Sequence, residues 1–199
     1  QTFNNMLDSV FNVPPLFDDS YYGSVIHEIR EMQIMNMGNY AHGNQPVQHM
    51  IYLYGYSGEP WKTQYWIRQT MQRMYNANPD GYCGDEDNGQ TSAWYVFSAM
   101  GFYPVCPGAG EYVLGAPYFD EMTLHLENGR TVSIKANVNT DDNFYVNTLT
   151  LNGQPYSKNY IKRTDLMQGA QFVYTMSPTP NYSRGTAESD APYSFSKTK

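Results

Sequence analysis

Three consecutive acids at positions 85–87, in the order Asp-Glu-Asp, form the stretch of this sequence best suited to chemistry. Gly84 and Gly89 bracket them, and glycine permits tight backbone geometry on both sides of the acids. An apolar, aromatic run begins at Ala93, with the spacing of a buried helix face. Carboxylates on a turn next to a core helix are typical of a catalytic or metal-binding loop. Acids also stabilise a helix N-terminus without doing any chemistry, so the local pattern leaves both interpretations open.

Two further segments concentrate polar side chains that could join the acids in one site. His27 and Glu28 lie in a predicted helix, where the plainer interpretation is a solvated helix face. The zinc-protease motif His-Glu-x-x-His needs a second histidine four positions after His27, and this sequence has none there, which excludes that class. The other segment, residues 42–49, contains Asn44 and Gln45. Such amides cap helices, and they also offer neutral oxygens to calcium or partners to sugar hydroxyls.

The residue types favour a hard cation over zinc, because they are rich in oxygen and contain no cysteine pair with ligand spacing. Cys83 and Cys106 could form a single bridge, although buried free thiols are the expectation. The glycine-rich nucleotide motifs and the serine-hydrolase elbow are absent from the sequence. Nucleotide binding and serine-hydrolase chemistry therefore have no support.

Apolar periodicity predicts helices in the first half of the chain. The predicted helices cover residues 2–12, 21–35, 47–56, 61–75 and a segment that follows the acidic turn and ends at residue 100. The last of these is predicted to bury a face made of Ala93, Trp94, Val96, Phe97 and Met100.

The second half of the chain has a strand pattern, with short β-rich runs separated by turns that contain Asn-Gly. The predicted strands cover residues 112–114, 122–126, 131–135, 146–151 and 171–176. Helices followed by strands predict an α+β fold with a small antiparallel β subdomain. We place the division between residues 1–108 and residues 109–199, with a polar strap and tail from residue 178.

The net charge of −7 and the lack of a basic patch argue against nucleic acid and anionic membrane as partners. No run of residues is apolar enough to predict membrane insertion. The sequence starts with neither a methionine nor the pattern of a signal peptide. We expect it to be a mature form or a piece of a longer protein.

The wider segment around the acids resembles a signature of glycoside hydrolase family 92, the bacterial calcium-dependent exo-α-mannosidases. Residues 84–108 read GDEDNGQTSAWYVFSAMGFYPVCPG, and the resemblance extends from about residue 3 to residue 181. The other matching motifs are HEIREM at 27–32, GNYAHGNQP at 38–46, YLY at 52–54, GEPWKTQ at 58–64, LNGQP at 151–155 and SPTPN at 177–181.

The resemblance implies that these helices are the end of an (α/α)6 toroid, and that the β subdomain follows it. The family also has an N-terminal β-sandwich, so most of the family's length would lie outside this chain. Family members are usually exported, which implies a periplasmic, secreted or cell-surface location.

By the same resemblance, the activity is inverting hydrolysis of terminal α-linked mannose, with α-1,2 linkages in mannose-containing glycans as the expected substrates. Asp87 is the expected base that activates water, and Asp85 assists it. Glu28 and Asn44 are the expected calcium ligands. The set expected to contact the sugar is His27, Glu28, Asn44 and Gln45.

Two departures from the family pattern stand out. Gln45 replaces a glutamate, which could weaken binding of metal or substrate, and Thr91 replaces a methionine, which we interpret as a packing change. The family's general acid lies upstream of His27, outside this chain. We therefore expect the isolated chain to be inactive and to need the N-terminal portion of the same protein as its partner.

Two other functions remain open on the sequence. A non-catalytic carbohydrate-binding or interaction module could reuse the scaffold, and Gln45 together with the missing acid favours that class. Another toroid glycosidase with a different sugar specificity would keep the acid and base but not the calcium. Changing Asp87 distinguishes an enzyme from a binding module, because an enzyme would lose turnover and a binding module would lose mannose binding. Chelating calcium distinguishes the other glycosidase, whose activity would not depend on the metal.

Overall fold

Two compact units make up the computed structural model, which describes residues 2–197. The first consists of the chain up to Met50 together with Gln69–Tyr95, and the second of Ile51–Arg68 together with the chain from Val96 onward. The division at residue 108 that secondary-structure content suggests stays a prediction.

Helix α1, Phe3–Asn12, confirms the first predicted helix. The Thr2 hydroxyl caps its start by accepting a hydrogen bond from the Asn5 amide at 3.3 Å. Extended backbone at Val13 ends it, because the proline that follows disfavours helical geometry there.

Helix α2, His27–Met35, begins later than predicted. Ser20–Tyr22 forms only a 3-10 turn, and Gly23 then takes the left-handed conformation at φ +64°, which stops the helix that the sequence pattern suggested. Val25, which the predicted helix of residues 21–35 would include, lies outside α2 with 65 % of its surface exposed. Met32, within α2, is buried.

The third predicted helix, residues 47–56, is wrong as an α-helix. The chain forms two 3-10 segments instead, Gln45–Val47 and Met50–Gly55. The hydroxyl of Thr63 donates to the Ile51 carbonyl at 2.8 Å, so a side chain takes up an acceptor that an α-helix would use.

Helices α3, Pro60–Met74, and α4, Gln90–Met100, confirm the two remaining predictions. The predicted buried face of α4 is confirmed at Trp94, and Phe97 and Met100 are partly buried against the core, but the prediction is wrong at Val96, which is 54 % exposed. The buried residues of α4 are Thr91, Trp94, Ser98 and Ala99. Apolar periodicity did not identify Thr91 and Ser98, because their side chains are polar. No helix within residues 2–197 is both long and apolar enough to cross a membrane.

The second unit contains two sheets and the short helix α5, Arg163–Leu166. The three-stranded sheet has the order β1-β2-β7, with β1 at Phe102–Tyr103, β2 at Glu111–Leu114 and β7 at Tyr160–Lys162. The five-stranded sheet has the order β3-β4-β8-β5-β6, with β3 at Glu121–His125, β4 at Thr131–Asn137, β5 at Tyr145–Leu151, β6 at Gln154–Pro155 and β8 at Ala170–Ser177. These elements confirm the α+β class.

The prediction of a purely antiparallel subdomain is wrong at one pair, since β4 and β8 run parallel. Parallel neighbours need a long connection, and residues 138–169 supply it through β5, β6, β7 and α5. Both predicted Asn-Gly turns form: Gly129, between β3 and β4, and Gly153, between β5 and β6, each adopt φ +78°. Alternate residues of β8, including Phe172 and Tyr174, are buried in the core of this unit.

Candidate active site

Glu86 anchors the acidic turn to the start of α4. Its carboxylate accepts hydrogen bonds from the Gly89 amide at 2.6 Å, from the Ser92 amide at 3.3 Å and from the Ser92 hydroxyl. The hydrogen bond from the Ser92 hydroxyl has the largest effect on the pKa of Glu86 and lowers it. The hydrogen bond from the Gly89 amide lowers it further. The purely structural interpretation of the acidic segment therefore applies to Glu86, whose carboxylate caps the helix.

Asp85 and Asp87, on either side of Glu86, are exposed. Asp87 and Asn88 take the left-handed conformation at φ +58° and +59°, which aspartate and asparagine tolerate better than other non-glycine residues. The Gln90 amide donates to the Asp87 carbonyl at 3.3 Å and closes the turn. With Glu86 occupied, two exposed carboxylates remain for chemistry.

The second polar segment lies directly against the acidic turn through two glycines. A Cβ added to Gly84 would lie 2.7 Å from the Cα of Gly43, and a Cβ added to Gly43 would lie 2.8 Å from the Cα of Gly84. Real Cβ atoms do not approach backbone this closely, so both positions require glycine. This contact brings Asn44 and Gln45 close to the acids.

Gln45 reaches the turn with its side-chain amide. Its Nε2 donates to the Asp85 carbonyl at 2.8 Å and to the Thr91 hydroxyl at 3.3 Å. The Thr91 hydroxyl itself donates to the Asp85 carbonyl at 2.9 Å. Thr91 is fully buried, so it does pack, but its hydrogen bonds give it a polar role that the sequence analysis missed. Asn44 is half-buried, and its side chain makes no capping hydrogen bond at the 3-10 turn it precedes.

Glu31 joins α2 to the same segment. Its carboxylate accepts a hydrogen bond from the Gly43 amide at 2.7 Å. Burial raises the pKa of Glu31, and the bond from Gly43 opposes part of that rise. His27 and Glu28, one turn earlier on α2, pair with each other at 3.3 Å and act electrostatically on Glu31. Glu31 lies three residues after Glu28 and four after His27, so the three side chains share one face of α2. That spacing is the sequence signal for Glu31.

His42 is a buried scaffold residue. Its Nδ1 lies 2.7 Å from the Tyr40 hydroxyl and its Nε2 lies 2.6 Å from the Tyr75 hydroxyl. The Trp94 ring meets it edge-on with 4.2 Å between ring centroids. Burial lowers the pKa of His42 to about 3, so the imidazole stays neutral near pH 7. Trp94 also donates from Nε1 to the Gln48 carbonyl at 3.2 Å, which fixes this segment to α4.

Comparison of the whole sequence with known families identifies the family to which this chain belongs. Residues 1–178 match the catalytic domain of glycosyl hydrolase family 92. This chain belongs to glycosyl hydrolase family 92. A family GH92 inverting mannosidase from Bacteroides thetaiotaomicron VPI-5482 is 55 % identical with a TM-score of 0.83, over 98 % of this chain and 26 % of that one.

Other GH92 structures and one curated relative agree with this assignment. A family GH92 α-mannosidase from Bacteroides thetaiotaomicron, solved in complex with mannoimidazole, is 37 % identical with a TM-score of 0.86, over 97 % of this chain and 24 % of that one. An uncharacterized secreted glycosidase from Arthroderma benhamiae is 30 % identical over 157 residues, which are 77 % of this chain and 20 % of the relative. The chain thus spans between a fifth and about a quarter of the length of these relatives.

The calcium expected for a GH92 chain can be tested against the donor atoms present. Glu28 and Asn44 carry oxygen donors of the kind calcium prefers, and Glu28 is only 32 % exposed. Within residues 2–197, no three or more His, Cys, Asp or Glu side chains form a group that could hold a metal ion. The donor chemistry fits calcium, but calcium takes about six to eight oxygens, more than these two residues supply.

The two cysteines of the GH92 chain are both free. Cys83 is buried, and burial raises the pKa of its thiol to about 12. Cys106 is exposed, which corrects the expectation that both thiols are buried.

Proposed function

We propose that this chain supplies the water-activating side of an inverting α-mannosidase site that removes terminal α-linked mannose, with α-1,2 linkages preferred. One observation carries the proposal. The acidic turn commits Glu86 to the start of α4 and leaves Asp87 and Asp85 exposed beside the segment that holds Asn44 and Gln45. The 55 % identical inverting mannosidase supports the reaction class.

Asp87 is the base in this proposal. Its carboxylate removes a proton from a water molecule as the water oxygen attacks the anomeric carbon, and the bond from that carbon to the glycosidic oxygen breaks. Attack from the face opposite the leaving group inverts the configuration. A general acid about 6.5–9.5 Å away protonates the departing oxygen, which leaves room for the water between acid and base. Asp85 shares the task of holding the water.

The sugar contacts proposed for this chain are His27, Glu28, Asn44 and Gln45. His27 keeps 66 % of its side chain exposed at the start of α2, where it could reach a ligand. Gln45 uses its amide nitrogen on the acidic turn and would offer its carbonyl oxygen to a sugar hydroxyl. The mannoimidazole complex of the 37 % identical GH92 protein supports mannose-containing glycans as ligands.

We assign Glu28 and Asn44 as the residues through which this chain would hold calcium. When bound, calcium would hold two vicinal sugar hydroxyls and help to distort the ring. The remaining ligands would come from the substrate and from the rest of the protein.

The rest of the protein also supplies the general acid in this proposal, so the 199 residues alone are expected to be inactive. The secreted glycosidase among the relatives supports an exported protein.

The test measures mannose released from α-1,2-mannobiose by the 199-residue chain, by the N-terminal portion and by the two combined. Each is assayed with calcium and then with EDTA. The proposal expects calcium-dependent release only when both portions are present. Release by the chain alone would contradict the missing acid, and release that survives EDTA would remove calcium from the account. Mannose binding without release in the combined protein would instead support a sugar-binding module.

A further inference from the structure

We infer that Gln45 and Thr91 are positioning residues that clamp the acidic turn from its N-terminal side and so fix the direction of the Asp87 carboxylate. The inference rests on the proposed function, in which Asp87 is the base. We call the three hydrogen bonds among Gln45, Thr91 and the Asp85 carbonyl the amide clamp.

The amide clamp is a closed triangle. The Asp85 carbonyl accepts from Gln45 Nε2 at 2.8 Å and from the Thr91 hydroxyl at 2.9 Å, while Gln45 Nε2 also lies 3.3 Å from that hydroxyl. A carbonyl oxygen has two acceptor sites, and this one uses both. The Thr91 side chain is completely buried, so it is screened from competing water.

A second layer of amides fixes the orientation of the Thr91 hydroxyl. Gln48 Nε2 donates to that hydroxyl at 3.4 Å, and Gln90 Nε2 donates to Gln48 Oε1 at 3.1 Å. A hydroxyl has one hydrogen to donate. Because the Thr91 hydroxyl gives its hydrogen to the Asp85 carbonyl, it must accept hydrogen bonds from the side-chain amides of Gln45 and Gln48.

The chemistry of the clamp requires an amide at position 45. A carboxylate there has no hydrogen to donate to the Asp85 carbonyl and would place a negative charge against its oxygen. It would also compete with that carbonyl for the hydrogen of the Thr91 hydroxyl. The pairing thus gives a physical reason for glutamine at 45 when threonine stands at 91.

The clamp acts on Asp87 through the backbone of the turn. Hydrogen bonds from backbone amides hold the C-terminal side of the turn. The Glu86 carboxylate accepts from the backbone amides of Gly89 and Ser92, and the Asp87 carbonyl accepts from the backbone amide of Gln90. On its N-terminal side, the clamp holds the carbonyl of Asp85, two residues before Asp87. Releasing one side would let the Asp87 carboxylate shift, and a shift of about 1 Å at a reacting group can cost about 100-fold in rate.

The test compares Gln45→Glu and Thr91→Val with Thr91→Ser, which keeps the hydroxyl, in the full-length protein. We expect kcat to fall about 10- to 100-fold in the first two variants. KM should change by less than about threefold in Thr91→Val, since Thr91 makes no proposed sugar contact, and Gln45→Glu can change KM as well because Gln45 is a proposed sugar contact. Thr91→Ser should recover most of the kcat lost in Thr91→Val. Gln45→Ala is also measured alone and in combination with Thr91→Val. The combined loss of kcat, expressed as free energy, should be smaller than the sum of the two single losses, because both side chains act on one carbonyl.

Amide hydrogen exchange in the full-length protein provides a second test that needs no activity. Exchange at residues 89–92 should speed up in Gln45→Glu and Thr91→Val but not in Thr91→Ser. Unchanged exchange in the first two variants would overturn the clamp. Faster exchange with unchanged kcat, or an equal loss of kcat in Thr91→Ser, would overturn its positioning role. A full-length wild-type protein that releases no mannose would refute the proposed function, and exchange would still report on the clamp.

Discussion

Replacing Gly84 with alanine tests whether the two polar segments are held in backbone contact. The left-handed backbone at Gly84, φ +59°, costs an alanine about 1–2 kcal/mol. The new Cβ would also lie 2.7 Å from the Gly43 Cα and 2.8 Å from its carbonyl oxygen. Overpacking of this kind costs about 1–3 kcal/mol. We expect a total loss of about 2–5 kcal/mol in the free energy of unfolding, the sum of the two ranges.

Two matched variants separate the backbone cost from the contact cost. Gly23→Ala places alanine at a similar φ of +64° with nothing within 4 Å, so it should cost only the conformational part. Gly43→Ala has no left-handed backbone, but its Cβ would overlap the Glu31 carboxylate and approach Gly84, so it should cost only the contact part. The assay is urea unfolding followed by far-UV circular dichroism. A Gly84→Ala variant no less stable than Gly23→Ala would refute the backbone contact.

Three further predictions concern ionisation and thiol access. The folded pKa of His42, about 3, lies below its ordinary value of 6.5, so the unfolded chain binds the extra proton. Stability should therefore fall as the pH drops from about 6.5 towards 3, by up to about 1.4 kcal/mol per pH unit from this residue, and urea midpoints of wild type and His42→Gln across that range check it. Ser92→Ala should raise the pKa of Glu86 back towards 4.5, measured by carbon-detected NMR titration, and an unchanged pKa would contradict the capping geometry. In a thiol-labelling assay, Cys106 should react in the folded protein and Cys83 only after unfolding, so two rapidly labelled thiols in the native state would contradict the buried position of Cys83.

The elements that sequence reasoning located well are those with strong local signals. The long periodic stretch of α3 and the Asn-Gly turns at Gly129 and Gly153 depend on residues close together in the chain. The start of α2 was misplaced because Gly23 adopts a left-handed conformation that apolar spacing does not report. The parallel pairing of β4 and β8 joins strands far apart in sequence, so no local pattern encodes it.

The candidate site shows the same limit for function. The residue types identified the acidic segment as a whole, but only the structure assigns the capping role to Glu86 and leaves Asp87 exposed. Thr91 looked like a packing change because its hydrogen-bond partner Gln45 is 46 residues away. The neutrality of His42 likewise depends on burial beside Tyr75, which a single sequence does not reveal.

We propose that Asp87 activates water in an inverting reaction. The most direct measurement follows mannose release by the full-length protein with proton NMR, which identifies the first anomer formed, for wild type and for Asp87→Asn. We predict β-mannose as the first product from the α-linked substrate. Asp87→Asn should lose at least about 100-fold in kcat and retain mannose binding. Initial release of α-mannose would contradict the inverting reaction, and a variant as active as wild type would contradict the role of Asp87 as the base.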